Sequence, residues 1–404
     1  MSTRLSDDLD AFMRGGSTIE RHGLFERLRN EAPIIRSEAL DAWVISRHAD
    51  VNEVLADEAR FASLKDGPGA PVYGPSVLQW TGREHQKKAG IVARRLRSPA
   101  AVTASDEFVR DTARRLADGV VGMDGVVDLK TEYAMWIPLL VIAELLKVDG
   151  ADHFRDWYRD IAAGGVSSIG HPERRERALE ALGELAAFLE PILEERRAAP
   201  GEDLLSDLCT ATYDGEPLPF AQILAMSAFL LTAGVETTER ALSSLLVHLF
   251  EDPDRWAELR EQPELVPAAC AEALRVLPPV HGLTRSAVTE TEVAGTTIPA
   301  GDRILVLIAS ANRDETVFDD PHTFALRRFI DNPERQFTNA GWTMPFGAGR
   351  HHCTGSQLAR LEMEHGLREL LARVRSASFE GEVPGPAGFL LVSPDEVRVR
   401  LQPA

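Results

Sequence analysis

The segment from Pro219 to Phe250, PFAQILAMSAFLLTAGVETTERALSSLLVHLF, restricts this chain more than any other. Its apolar residues recur three and four apart, so it reads as one helix of roughly 48 Å, long enough to cross a whole domain. The centre, Ala233-Gly234-Val235-Glu236-Thr237-Thr238, is a poor helix former because it combines a glycine with β-branched residues. Such a conflict is expected where function overrides packing. The Thr237 hydroxyl is placed to donate back to the Ala233 carbonyl four residues earlier, which loosens the helix and opens a groove. A buried helix with a tolerated glycine and a solvent-facing Glu236 is the plainer alternative.

Around this helix the pattern is mainly α with a little β. Residues 33–47 read as two short strands around an acidic turn, followed by a helix over HADVNEVLADEA. Residues 64–78 hold three glycines and three prolines and read as a long loop. Helical periodicity covers 105–120, 133–147, 151–163 and 173–197, with 164–172 as a mobile connection. Alternating β-branched residues over 287–308 predict a return to strands. No repeat or interdomain linker interrupts the chain, so the expectation is one mixed α+β domain over 1–404.

Charge excludes one class of function. With 44 basic against 63 acidic residues the net charge is −19, which would repel a nucleic-acid backbone. The three cysteines, Cys209, Cys270 and Cys353, are far apart and suggest neither a disulfide framework nor a zinc module. The N-terminus lacks the pattern of a secretory signal. The apolar runs IPLLVIAELL and FAQILAMSAFLLTAG are shorter than the ~20 residues that cross a bilayer. A cytoplasmic protein with no membrane association is expected.

One cysteine has an unusual setting, PFGAGRHHCTGSQLARLE, from Pro345 to Glu362. A thiol becomes an anion under positive potential, and the apolar helical pattern starts just after Gly355, which puts Cys353 at the positive end of a helix. Gly347, Gly349 and Gly355 would let the backbone bend around the sulfur. Phe346 would cover it. Two other readings stay open on local chemistry: an inert buried cysteine, and a cysteine hydrolase with His351 or His352 as base.

The stretch resembles the haem-ligand loop of cytochrome P-450 monooxygenases, Phe-Gly-x-Gly-x-His-x-Cys-x-Gly followed by Leu-Ala-Arg. Phe346, Gly347, Gly349, His351, Cys353, Gly355, Leu358, Ala359 and Arg360 match it. The resemblance implies a helical triangular prism with a small β-sheet region, in which haem b lies between the long helix and the cysteine helix. It makes Cys353 the thiolate ligand of the iron and gives His351 a haem propionate. Ala233 and Gly234 would lie close to the cofactor, and Glu236 and Thr237 would be the acid–alcohol pair that supplies protons for oxygen activation. Arg285 and His85 correspond to propionate-binding positions. The family has His-x-x-x-Arg at the second, whereas this chain has Ala89, with Lys88 as a substitute that points elsewhere. Glu272, Arg275 and Arg328 correspond to a buried structural network.

The implied reaction uses O2 and two electrons from NAD(P)H, delivered by separate redox proteins, to oxidise a small to medium, largely apolar molecule of bacterial secondary metabolism or catabolism. No fused reductase is expected, and the protein is expected to be a monomer. An acidic ferredoxin would dock on a basic face holding Lys87, Lys88, Arg94, Arg95, Arg97, Arg350 and Arg360. Val72, Leu230, Val280, Leu283, Phe389 and Leu390 would line an apolar substrate pocket, with His281 and Thr284 as polar handles. A haem protein that senses gas or carries electrons without oxygenating is the rival reading.

Overall fold

The computed structural model describes residues 2–14, 20–64, 70–74, 76–165 and 172–404. They form two packed units. The first comprises Met1–Leu64, Ala271–Cys353 and Ala387–Val392, and the second Lys65–Cys270, Thr354–Pro386 and Ser393–Ala404.

The first unit is built on a five-stranded mixed sheet. Ile34–Ser37 and Ala42–Ile45 form the antiparallel hairpin expected over 33–47. Arg303–Val306 runs parallel to Ala42–Ile45 and antiparallel to Leu283–Ala287, and Phe61–Ala62 closes the far edge. The period-two alternation of a strand explains how the sheet is buried on both faces. Leu305 and Val44 pack with Leu5, Leu9, Leu24 and Leu28 from the N-terminal helices. Ile304, Val306 and Ile45 pack with Val51, Val54 and Leu55 of the helix His48–Ala56.

The second unit is mainly helical. Its core gathers residues from Gly82–Arg97, Pro99–Val121, Trp136–Leu146, Ala151–Gly164, Pro172–Ala198 and the 32-residue helix Phe220–Glu251. The last of these packs on the helix Ser356–Arg373, where glycine permits close approach: a Cβ on Gly366 would lie 3.1 Å from Ile137 and 3.4 Å from Leu242. Tyr133, fully buried, donates its hydroxyl to the Gly366 carbonyl at 2.8 Å. A small sheet orders Val374–Phe379, Arg398–Pro403 and Val127–Asp128.

Local detail departs from expectation at two places. The segment expected as a loop over 64–78 contains a helical turn, Ala70–Tyr73, with Val72 buried; residues 65–69 and 75 lie outside the described residues. The helix expected over 133–147 divides into a π turn, Lys130–Ala134, and the helix Trp136–Leu146. Most of the connection expected over 164–172 lies outside the described residues. Among the described residues one helix, Phe220–Glu251, is long and apolar enough by composition to span a membrane, and half of its most apolar window is buried inside the protein.

Candidate functional site

The cysteine loop belongs to the first unit and is shaped by two glycines in the left-handed region, Gly347 at φ 70° and Gly349 at φ 68°. Gly349 has no room for a side chain, since a Cβ there would meet the Ala56 Cα at 2.7 Å and its carbonyl oxygen at 2.8 Å. The Asn339 side chain accepts from the Gly349 amide at 2.9 Å, and the Cys353 amide closes the loop by donating to the Phe346 carbonyl at 2.8 Å. Gly355 differs from expectation: its φ of −87° is ordinary backbone, so the bend comes from the first two glycines alone. The helix begins at Ser356, and the Ala359 amide donates to the Gly355 carbonyl in its first turn. Cys353 is exposed, whereas Cys209 and Cys270 are buried. The Phe346 ring lies 5.6 Å from Phe337 and 6.2 Å from His352, which holds it beside the loop.

His351 and Arg285 form the polar part of this unit's site. His351 Nε2 lies 2.9 Å from Glu58 Oε1, and burial, opposed by the bond to Glu58, holds the imidazole pKa below its usual value. Arg285, on the strand Leu283–Ala287, is buried, and its one hydrogen bond among the described residues runs from Nη1 to the Thr284 carbonyl at 2.9 Å. Desolvation lowers its pKa and Glu58 pulls it back up. A buried guanidinium without a paired carboxylate calls for an anionic group. Together with the exposed Cys353, in a loop that leaves no room for a side chain at Gly349, it fits a prosthetic group that carries both a metal and acidic arms.

The segment Pro279–His281 pairs with the tail. Val280 bridges Leu391, the His281 amide donates to the Leu390 carbonyl at 2.8 Å, and the Val392 amide donates to the Pro279 carbonyl at 2.9 Å. This brings Val280, His281, Phe389 and Leu390 together, as one region of the sequence would not suggest. Phe389 packs against Phe12 at 5.8 Å, and Leu390 joins the cluster of Leu305. Leu283 and Thr284 follow on the adjoining strand, Leu283 against the Ile304 cluster. His281 is buried, with Arg21 Nη1 3.2 Å from Nδ1. Burial, reinforced by Arg21, His22 and Arg313, keeps the imidazole neutral far below its ordinary pKa. Because Arg21 can only donate, Nδ1 is the acceptor and Nε2 carries the hydrogen, which has no hydrogen-bond partner among the described residues.

The same unit holds a buried ionic network. Glu272 and Arg275 are fully buried and joined by two bonds of 2.8 Å, and Arg328 Nε donates to Glu272 Oε1 at 3.0 Å. The remaining Arg275 donors reach the carbonyls of Asn312, Pro321 and Thr323.

In the second unit, the centre of the long helix stays helical despite its composition. Thr237 Oγ1 donates to the Ala233 carbonyl at 2.9 Å, the bond its spacing predicts. Ala233, Gly234 and Thr237 are partly exposed and share one helical face, while Val235, Glu236, Thr238 and Glu239 are buried. A Cβ on Gly234 would meet Ile142 Cδ1 at 2.7 Å, so glycine here serves close packing on the helix Trp136–Leu146. Glu236 is buried and not solvent-facing: Arg240 donates to its Oε1 from Nη2 at 2.7 Å and from Nε at 3.2 Å. Desolvation raises the carboxyl pKa, and Arg240 only partly offsets it. Val72 and Leu230 join this unit's core.

Several basic side chains differ from the expected open face. Lys88 is buried, bonded to Glu84 at 2.6 Å and Gln222 at 2.8 Å, with its ammonium 4.6 Å from the Trp80 ring, so it does not replace the arginine missing at Ala89. Arg95 is paired with Asp207, and Arg360 is 15% exposed and lies 3.6 Å from Glu364. Lys87, Arg94 and Arg97 are exposed on the helix Gly82–Arg97, which also carries the half-buried His85; Arg350, in the first unit, is exposed as well.

Sequence reasoning missed the partners of Glu236. Arg240 was visible in VETTER as a charge four residues on. Glu239 stands in the same hexapeptide, three residues on, whereas Lys130, Tyr158, Ser393 and the buried acid Glu362 carried no local signal.

Known proteins resemble the chain along most of its length. The family model described as Cytochrome P450 matches residues 169–392. The chain is 34% identical to nocardicin C N-oxygenase of Nocardia uniformis subsp. tsuyamanensis, over 94% of this chain and 96% of that protein. It is 31% identical to pulcherriminic acid synthase of Bacillus subtilis, over 89% of each. Among solved structures, cytochrome P450 CYP109Q5 from Chondromyces apiculatus superposes with a TM-score of 0.81 at 30% identity, covering 95% of both chains. CYP109E1 from Bacillus megaterium, solved with testosterone, gives 0.82 at 27% identity, covering 95% of this chain and 99% of that one.

Proposed function

Since this chain belongs to the cytochrome P450 family and is a monooxygenase, we propose that Cys353 is the thiolate ligand of its haem and that Glu236 and Thr237 supply its protons. The observation that carries the reading is the exposed Cys353 in a loop that Gly347 and Gly349 hold in a backbone only glycine adopts easily. When bound, the haem activates O2 so that one oxygen atom enters the substrate and the other leaves as water.

The residues divide the remaining work. Arg285 supplies a buried positive charge for a propionate, and His351 supplies a ring nitrogen for the same purpose by exchanging its Glu58 partner. His85 is assigned to the second propionate without the usual arginine beside it. Phe346 shields the sulfur, and Gly355 and Ala359 begin the helix behind it. Ala233 keeps the face beside Thr237 free of bulk, and Gly234 lets the helix Trp136–Leu146 pack close behind it. Glu236, whose pKa burial raises, gives a proton that the Thr237 hydroxyl passes on.

The substrate is a medium-sized, mostly apolar organic molecule from bacterial secondary metabolism. Val72, Leu230, Val280, Leu283, Phe389 and Leu390 supply apolar surface, Thr284 a hydroxyl, and His281 Nε2 a fixed hydrogen-bond donor for a carbonyl or hydroxyl oxygen. The names of its relatives, which include an erythromycin C-12 hydroxylase and a linalool 8-monooxygenase, support that class. Electrons come from NAD(P)H through a separate reductase and an acidic ferredoxin, which docks on Lys87, Arg94 and Arg97 in the cytoplasm.

The test is turnover with labelled O2. A compound selected by its low-to-high-spin shift should gain one labelled oxygen atom at the expense of one NAD(P)H. Electron consumption without any oxygenated product across such binders would favour a carrier or sensor instead.

A further inference from the structure

The Glu236–Arg240 pair does not end at Arg240. Arg240 Nη1 donates to Ser393 Oγ at 3.1 Å, and Lys130 Nζ donates to the same oxygen at 3.2 Å. Ser393 in turn donates to the Pro394 carbonyl at 3.1 Å. A hydroxyl has one hydrogen to give and two lone pairs to share, so all three are used. Ser393 is 1% exposed, so water does not compete for them. Lys130 also reaches the Pro394 carbonyl at 2.7 Å and lies 3.6 Å from Glu239 Oε1, whose other oxygen accepts from the Tyr158 hydroxyl at 2.5 Å.

This is a closed buried network of two carboxylates and two cations with one neutral oxygen as its junction. With Glu236 ionised the charges balance, and each cation is held by its own acceptors. Lys130 keeps other acceptors if Ser393 is lost. Arg240 has only Glu236 left, and a guanidinium that still has 19% exposure can reach water instead.

We propose that Ser393 is a positioning residue for the Glu236 carboxyl, acting through Arg240. The inference rests on the assignment of Glu236 as the proton-supplying acid, and adds that a tail residue, 157 positions away in the chain, sets how tightly that acid is held. The groups that face Glu236 are Arg240 and Glu239 from its own helix, Lys130 from the π turn, Tyr158 from the helix Ala151–Gly164, and Tyr73 from the turn Ala70–Tyr73. Of these, Arg240 makes direct hydrogen bonds to it, and Ser393 fixes Arg240. Releasing Arg240 weakens the stabilisation of the ionised acid and moves its titration to higher pH.

The experiment is an infrared pH titration of the protonated carboxyl band of Glu236 in the resting holoenzyme, with the band identified by its loss in Glu236→Gln. Ser393→Ala should raise the midpoint by roughly one pH unit, the worth of one charge-assisted hydrogen bond. Ser393→Thr, which keeps the hydroxyl, should restore it. The alkaline limb of the turnover profile, where the proton-supplying form is lost, should move in the same direction in Ser393→Ala. An unmoved midpoint in Ser393→Ala, with Glu236→Gln still abolishing the limb, overturns the role of Ser393 and leaves Glu236 as the acid. A limb that persists in Glu236→Gln removes the acid assignment and this inference with it.

Discussion

The Thr238 hydroxyl is hydrogen-bonded to the carboxyl of Glu362, joining the long helix Phe220–Glu251 to the helix Ser356–Arg373. Burial pushes the Glu362 carboxyl up to about 8, and the bond to Thr238 opposes that shift only in part. In the unfolded chain the same group titrates near 4.5. A pKa raised by folding contributes stability that is complete below the unfolded value and is lost as pH rises towards the folded one. Between about pH 5 and 8 the Glu362 contribution therefore falls by about 1.4 kcal/mol per pH unit. Glu362→Gln should remove this slope, which denaturant unfolding across that range measures. Parallel curves for the two proteins would show that Glu362 does not titrate there.

Removing Glu272 leaves Arg275 fully buried with no counter-charge. Glu272→Ala should destabilise the protein by about 3–5 kcal/mol, the usual result of orphaning a buried charge. Arg328→Ala should cost less, because Arg328 is partly exposed and Arg275 keeps both bonds to Glu272. Chemical denaturation of the single and double variants gives both values. A loss under about 1 kcal/mol in Glu272→Ala would place the network among weak surface pairs.

Gly349 and Gly90 make opposite predictions for the same substitution. Gly349→Ala places a Cβ in the left-handed region and against the Ala56 backbone, so it should cost at least about 1–3 kcal/mol and lower haem content. Gly90→Ala lies inside the helix Gly82–Arg97 with nothing within 4 Å of the new Cβ, and should gain about 0.5–1 kcal/mol. Melting temperatures and pigment per protein test both. Equal behaviour of the two variants would mean that the cysteine loop is not held as described.

Charge reversal at Lys87, Arg94 and Arg97 should slow electron transfer from an acidic ferredoxin several-fold at low salt. The spin shift on substrate binding should be unchanged. Added salt should narrow the difference, because exposed charges are screened. Stopped-flow reduction at two ionic strengths measures this; equal rates at low salt would move the docking face elsewhere.

Sequence spacing revealed what the backbone decides locally. The Thr237–Ala233 bond follows from a hydroxyl four residues after a carbonyl on a helix, and the sheet strands from alternation at Val44, Ile45 and Ile304–Val306. The glycine loop was readable because Gly347 and Gly349 sit where a side chain is strained or excluded. Gly355 only looked alike. The polar environment of Glu236 was hidden because Ser393, Lys130 and Tyr158 reach it from three distant segments, and no periodicity records such a meeting. Arg360 and Lys88 show the same limit: the sequence counted their charges, but the fold supplied Glu364, Glu84 and Gln222 to occupy them.

The most direct measurement is the absorption spectrum of the reduced carbon monoxide complex in three single variants. Cys209→Ser and Cys270→Ser should keep the Soret position of a thiolate-ligated haem, and Cys353→Ser should lose it. Retention of that band, with turnover, in Cys353→Ser would contradict the account.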